Sequence, residues 1–221
     1  MAELIAVTSE SAFPNARILI FGRAPEVGQV KTRLAPAIGA YRALALYERL
    51  VAGTIGMVTG SSLAPAQLWI AGDTGHSFFG RHATAMPSDA RFPQRGRDLG
   101  ERMAHALATA LAQPGVDRAV LIGTDIPALD EHYLRAALTA LDDHDAVLGP
   151  AEDGGYVLIG LTRPEPRLFE DIAWSTPRVL DATRIRLTAL GWRHKELPVL
   201  WDVDTPEDLL RLRTFEARRQ P

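Results

Sequence analysis

Arg17-Ile18-Leu19-Ile20-Phe21, an unbroken apolar run closed by Gly22, is the stretch on which the fold class turns. Its length suits a strand, and the lack of polar alternation means that both faces are covered, as in a parallel sheet layered by helices. Outward from it, a polar loop with Gly and Pro leads to residues 40–58. There Leu44, Tyr47, Val51 and Ile55 recur at helical spacing, while Arg42, Glu48 and Arg49 turn elsewhere. The alternation then repeats. Leu68-Trp69-Ile70-Ala71 reads as a strand and residues 99–111 as a helix, with a long irregular segment between them. Ala119-Val120-Leu121-Ile122-Gly123 is a further buried strand, and Tyr133, Leu134, Ala137, Leu138 and Leu141 mark the next helix. Ala146-Val147-Leu148 and Tyr156-Val157-Leu158-Ile159 add two strands. The last third predicts a helix over 176–190, a strand within 196–203 and a helix opened by Thr205-Pro206-Glu207-Asp208. In that opening Thr205 caps, Pro206 fits the first turn and the acids complement the helix dipole. Buried strands alternating with helices predict an open α/β sheet.

The 221 residues, 47% apolar, suit one generous domain over 17–215, with a loose extension over 1–16 and a short tail over 216–221. A formal net charge of -3 offers no basic surface for nucleic acid. With no cysteine there is no disulfide, thiolate zinc site or cysteine nucleophile, so any metal rests on oxygen or imidazole. Residues 1–16 carry Glu3 and Glu10 but no Lys or Arg, unlike the basic start of a secretory signal, and a cytoplasmic protein is expected. Residues 50–72 are uncharged and long enough to cross a bilayer. Gly53, Gly56, Gly60, Ser61, Ser62, Pro65 and Gln67 break them into a helix end, a turn and a strand, so no membrane partner is expected. A homodimer is compatible with all of this.

Open α/β sheets bind ligands beyond the carboxyl ends of their strands, and four such ends carry unusual chemistry. The first is Gly22-Arg23-Ala24-Pro25-Glu26-Val27-Gly28-Gln29-Val30-Lys31-Thr32-Arg33-Leu34. Glycines let backbone amides approach an anion, and Lys31 and Arg33 offer a point charge and a bidentate fork for phosphate oxygens; the same stretch also reads as a solvated basic turn. The order of Gly, Lys and Thr is not that of a P-loop. The second is Gly123-Thr124-Asp125-Ile126-Pro127, where a strand runs into an acid that either holds a hard cation or caps the next helix. In the third, Trp201-Asp202-Val203-Asp204, two acids one residue apart on a strand share a face; Asp204 also reads as a helix cap. The fourth is Glu152-Asp153-Gly154-Gly155-Tyr156, a hairpin turn or a substrate-lining loop in which Asp153 accepts a proton or ligates a metal.

Two weaker signals complete the set. Gln94-Arg95-Gly96-Arg97-Asp98-Leu99-Gly100-Glu101-Arg102-Met103 is a polar, glycine-containing helix entry able to hold an anion or read a base, or simply a capped helix. Trp174-Ser175-Thr176 precedes another helix and suits a pocket wall. The six histidines show no metal spacing.

In this order the segments resemble a family of bacterial glycosyltransferase-like proteins that are encoded near radical-SAM enzymes and linked by name to arsenosugar biosynthesis. The resemblance spans residues 17–212. It is carried by Gly28-Gln29-Val30-Lys31-Thr32-Arg33-Leu34, Gly123-Thr124-Asp125-Ile126-Pro127, Glu152-Asp153-Gly154-Gly155-Tyr156 and Asp202-Val203-Asp204-Thr205-Pro206-Glu207-Asp208. More remotely the chain is similar to 2-phospholactate and molybdenum-cofactor guanylyltransferases, although Gly22-Arg23-Ala24-Pro25 stands where the latter have a Gly-rich start. The resemblance implies a three-layer Rossmann-like sandwich with a mixed, mostly parallel sheet, the nucleotide-diphosphosugar transferase fold. It also implies Mg2+ or Mn2+ on Asp125 with Asp204 as its partner; beside it, the spacing of the acids makes Asp202 the reserve ligand. Nucleotide phosphates would lie along Gly22, Arg23, Gly28, Lys31, Thr32 and Arg33, with Gln94, Gly96, Asp98, Gly100 and Arg102 beside them.

The expected reaction is transfer of a sugar from a nucleoside-diphosphate sugar to a small-molecule acceptor. Lys31 and Arg33 would stabilise the leaving diphosphate and Asp153 would serve as base. Glu152, Gly154, Gly155, Tyr156, Trp174, Ser175 and Thr176 would line the acceptor side. Nucleotidylyl transfer with release of pyrophosphate is the alternative, and a noncatalytic nucleotide-binding protein a third.

Overall fold

The structure is a computed structural model and describes residues 11–219. Strand β1 (Ala16–Arg23) lies inside the sheet because Ile18, Leu19 and Ile20 are buried to alternate sides. It pairs in parallel with β2 (Ala66–Ala71) on one side and β4 (Arg118–Ile122) on the other, and β3 (Arg91–Pro93) extends the sheet beyond β2. β4 pairs antiparallel with β6 (Tyr156–Leu161), β6 antiparallel with β5 (Ala146–Pro150), and β5 in parallel with β7 (His194–Glu196). The order is β3-β2-β1-β4-β6-β5-β7, with β6 alone running against the rest. The chain leaves β1 toward β2 and returns on its other side at β4, so the strand order reverses there. That switch leaves a crevice at the carboxyl ends of β1 and β4.

Two apolar layers cover this mixed, mostly parallel sheet. Ile18, Ile20, Leu68 and Val120 pack with residues of α2 (Ala40–Gly60), α3 (Ser77–His82) and α5 (Glu131–Ala140). Leu19, Trp69, Leu121 and Ile159 face α4 (Leu99–Leu111) and α6 (Val179–Ala189). A third cluster of Leu34, Leu46, Trp201, Val203 and Leu212 ties α1 (Ala35–Ile38) and α2 to α7 (Pro206–Ala217).

Several boundaries differ from the sequence reading. The backbone joins the fold before residue 17: Ala12 N and Phe13 N donate to Ser62 O and Leu63 O at 3.0 and 2.7 Å, and Ala16 opens β1; residues 1–10 lie outside the described ones. At the other end Glu216 and Ala217 belong to α7 rather than to a tail. The helix expected from 176 starts at Val179, because a residue before proline is pushed out of helical conformation and Thr176 precedes Pro177. The strand expected within 196–203 ends at Glu196. Pro198 has no N–H for a ladder, and the chain meets β5 again only at the Ala151–Leu200 bridge. Residues 50–72 are the end of α2, a turn and β2, and no helix among the described residues is long and apolar enough to cross a membrane.

Candidate active site

The loop after β1 is drawn into the body of the protein by Val30 and Leu34, which are buried on either side of Lys31. Lys31 itself takes φ 47, a left-handed conformation uncommon for a residue with a side chain, and the turn aims its stem inward. The side chain is only 4% exposed; Nζ donates to Asp125 Oδ2 at 2.6 Å and lies 3.8 Å from Asp204 Oδ1. Arg33, two residues on, stays at the surface and donates to Asp204 Oδ2 at 2.7 Å. The reading of both as cations of a solvated loop is therefore corrected for Lys31.

Asp125 follows β4 after Gly123 and Thr124. The helix after it is capped by Asp130, whose carboxylate accepts from Tyr133 N, so Asp125 is not a cap. Thr124 beside it is buried, and its carbonyl accepts from Thr54 Oγ1 of α2. The carbonyl of Asp125 accepts from Val203 N at 3.0 Å, which docks residues 201–204 against it. That segment is not a strand, so the shared-face argument for Asp202 and Asp204 fails; both reach Asp125 through the Val203 contact instead. Nor is Asp204 the cap of α7. Its own N–H, together with Thr205 N and Oγ1, donates to Asp208, leaving the Asp204 carboxylate to Arg33 and Lys31.

Asp125, Asp153, Asp202 and Asp204 line one cavity of about 560 Å³. Burial pushes the Asp202 carboxyl up to about 6, and the charges of Asp125 and Asp153 push the same way. Among the described residues no group of three or more His, Asp or Glu side chains is arranged to hold a metal. Asp153 lies in the β5–β6 turn, where Oδ1 accepts from Gly155 N at 2.8 Å, so it is at once a turn residue and a cavity residue. The rest of the lining is largely aromatic and apolar. Trp174 stacks near Phe169 and meets Tyr156 edge-on, and Ser175 with φ 62 and Thr176 continue this lining. Gly100 makes room for it: a Cβ there would stand 2.5 Å from the Trp174 ring.

Other candidates are assigned different work. Glu152 is held by Arg211 at 2.5 and 2.8 Å, which keeps its carboxyl below the usual range, and it does not line the cavity. Gly154, with φ 86, lets the turn pass Pro177, whose carbonyl would be 2.2 Å from a Cβ. Gln94 Nε2 donates to Gly22 O and Trp69 O, tying the ends of β1 and β2 together. Asp98 caps α4 by accepting from Glu101 N, and Gly96 accepts from Arg102 Nε. Neither Gly28, Thr32 nor Arg23 lines the cavity, although Gly28 has φ 76 and the backbone of Arg23 is fixed by the Tyr47 hydroxyl, which accepts from its N–H and donates to its carbonyl. Sequence reasoning missed Tyr47 in this role and the apolar wall of Leu99, Met103, Pro177 and Val179. Leu99 carried one signal, an apolar residue opening an otherwise polar helix entry.

The sequence profile of a family described as "Uncharacterized protein conserved in bacteria (DUF2064)" matches residues 54–176. Among proteins of curated function none matches this chain. A solved structure from Desulfovibrio desulfuricans G20, which bears the name of a nucleotide-diphospho-sugar transferase, is 36% identical with a TM-score of 0.76, over 87% of this chain and 83% of that one. The 4-diphosphocytidyl-2C-methyl-D-erythritol synthase of Anaerococcus prevotii is 12% identical with a TM-score of 0.58, over 92% and 97% of the two chains. Glucosyl-3-phosphoglycerate synthase of Mycobacterium tuberculosis, solved with Mn2+, UDP and glucosyl-3-phosphoglycerate, is 11% identical with a TM-score of 0.55, over 91% and 77%. The last two likenesses establish the fold alone, that of the nucleotide-diphospho-sugar transferases.

Proposed function

Because this chain belongs to the bacterial DUF2064 family, and because its charged groups converge at the switch point of the sheet, we propose that it is a nucleotide-utilising transferase that moves a sugar from a nucleoside-diphosphate sugar to a small-molecule acceptor. The observation that carries this reading is the convergence itself. Lys31 and Arg33 of the loop after β1 meet Asp125 and Asp204 at the crevice where open α/β sheets take their ligands. The name of the 36% identical Desulfovibrio protein supports the same class.

Mg2+ or Mn2+ fits this donor set. Magnesium is commonly held by one or two carboxylates plus substrate phosphates, and the lining offers the carboxylates of Asp125, Asp153, Asp202 and Asp204. Asp125 and Asp204 would hold the ion, with Asp202 beside them, and the ion would neutralise charge developing on the leaving phosphates. Arg33 presents a guanidinium fork to the same phosphates, and Lys31 contributes a second positive charge at the leaving group. Asp153, in the lining of the same cavity, accepts the proton of the attacking acceptor hydroxyl. Trp174 and Tyr156 offer the acceptor an apolar face that excludes water, and Ser175 and Thr176 lie beside it.

Nucleotidylyl transfer is the second reading, favoured by one observation: two cations of a single loop, Lys31 and Arg33, both reach Asp204, which suits a pyrophosphate leaving group. Thermal-shift screening of nucleoside triphosphates and nucleotide sugars, with and without Mg2+, separates the two. A ligand at 100 times its Kd stabilises a fold by about 2.7 kcal/mol, so selective binders stand out. Stabilisation by a nucleoside-diphosphate sugar above all triphosphates is the expected result. Preference for a triphosphate would favour nucleotidylyl transfer, and no stabilisation by any nucleotide would end both readings. Asp153→Asn should then depress turnover at least about a hundredfold, the scale of general-base catalysis, with nucleotide affinity near wild type. Unchanged turnover would leave Asp153 a turn residue.

A further inference from the structure

The two carboxylates best placed to take a divalent cation already have a positive charge behind them. The Lys31 ammonium sits 2.6 Å from Asp125 and 3.8 Å from Asp204, with its stem almost wholly buried, whereas each acid is 32% exposed toward the cavity. Its anchor is a strained one, a non-glycine residue at φ 47, and such conformations persist where the surroundings over-determine them. The four-carbon stem of lysine is flexible and its head a compact point charge, so the ammonium can change partner without moving the turn. Arg33 holds Asp204 from the open side by its own contact at 2.7 Å.

We propose that Lys31 is a resident counter-cation: it neutralises Asp125 and Asp204 in the unliganded protein, competes there with a divalent cation, and is drawn off by the phosphates of an incoming ligand. Cation and phosphate ligand are then taken up together, because each removes the obstacle to the other. An ammonium bound to the same carboxylates repels a second cation, and only an anion supplies it with another partner. This rests on the reading of the cavity as a nucleotide site, and its test needs no nucleotide, so the two fail separately.

The test is Mn2+ binding, with no phosphate-bearing compound present, by wild type, by Lys31→Met and by Lys195→Met, which removes an exposed lysine of β7 outside the cavity. Lys31→Met should bind Mn2+ at least about tenfold more tightly than wild type, the lower end of what a close charge pair contributes to binding, and Lys195→Met should not differ from wild type. Equal or weaker Mn2+ binding by Lys31→Met overturns the proposal. Should that variant fail to fold without metal, its melting is followed as Mn2+ is added. Recovery of a cooperative transition means that the ion has replaced the ammonium, and no recovery at saturating Mn2+ overturns the proposal. A wild-type protein that binds no nucleotide while Lys31→Met gains Mn2+ affinity would sink the functional reading and leave the counter-cation standing.

Discussion

Lys31 and Arg33 lie two positions apart on one loop, yet folding gives them different surroundings, and the difference is measurable. Arg33→Ala should lower stability by less than about 1 kcal/mol, as for other exposed pairs, while Lys31→Ala should cost about 1–3 kcal/mol, because Asp125 then loses a buried partner. Urea denaturation of the two variants decides this; equal costs would contradict the burial of Lys31. Asp202 gives the opposite sign. Its carboxyl titrates at about 6 in the fold against 3.8 for an ordinary aspartate, so the native state holds the proton longer than the unfolded chain does. Stability without metal should therefore fall as pH rises from about 4 through 6, with the full penalty present above that window. Asp202→Asn should remove this slope and melt a few degrees higher than wild type at pH 7.5, part of the effect being screened by solvent. A parallel pH profile for variant and wild type would refute the assignment. The sequence made Asp125, Asp153 and Arg33 legible as residue types at strand ends. The burial of Lys31 was not legible, because it depends on a left-handed turn and on contacts of Val30 and Leu34 that no local pattern carries.

At the level of elements, long periodic segments were readable and short ones were not. The apolar faces of α2 and α4 and the buried runs of β1 and β4 announce themselves, whereas the six-residue α3 and the three-residue β3 are too short for a period to emerge. A strand within 196–203 was expected to put Asp202 and Asp204 on one face, but Val203 pairs with Asp125 in place of a sheet neighbour, and the two acids line the cavity from a segment outside the sheet. The β5–β6 hairpin illustrates what an element owes to one residue. Gly154→Ala meets both a left-handed backbone and the carbonyl of Pro177 at 2.2 Å. It should cost at least about 1–3 kcal/mol, the range for steric overpacking, and displace Asp153 from the cavity edge. Thermal melting tests the first effect, and weaker Asp153-dependent turnover the second; a variant as stable as wild type would show that the turn can shift without penalty.

For the whole molecule, the alternation of buried strands and helices was enough to predict the layered sheet, and the reversal of β6 was accessible only through family resemblance. The crevice is supported from behind by α7. α7 contributes no residue to the cavity wall, yet it supplies Leu212 to the cluster around Leu34, Trp201 and Val203, and Asp208 to the backbone of Asp204. Removing residues 205–221 should therefore abolish ligand-induced stabilisation while circular dichroism still reports most of the sheet and helices. Retained stabilisation would mean that Asp204 holds its place unaided. The pairing of Arg33 with Asp204 bridges 171 positions and that of Lys31 with Asp125 bridges 94. Contacts so distant in sequence form late, and on a ribosome the early loop emerges well before its acidic partners. During synthesis Lys31 therefore precedes its carboxylate partner Asp125 by 94 positions and Arg33 precedes Asp204 by 171, so the loop is made as a cationic segment and neutralised only from the far half of the chain.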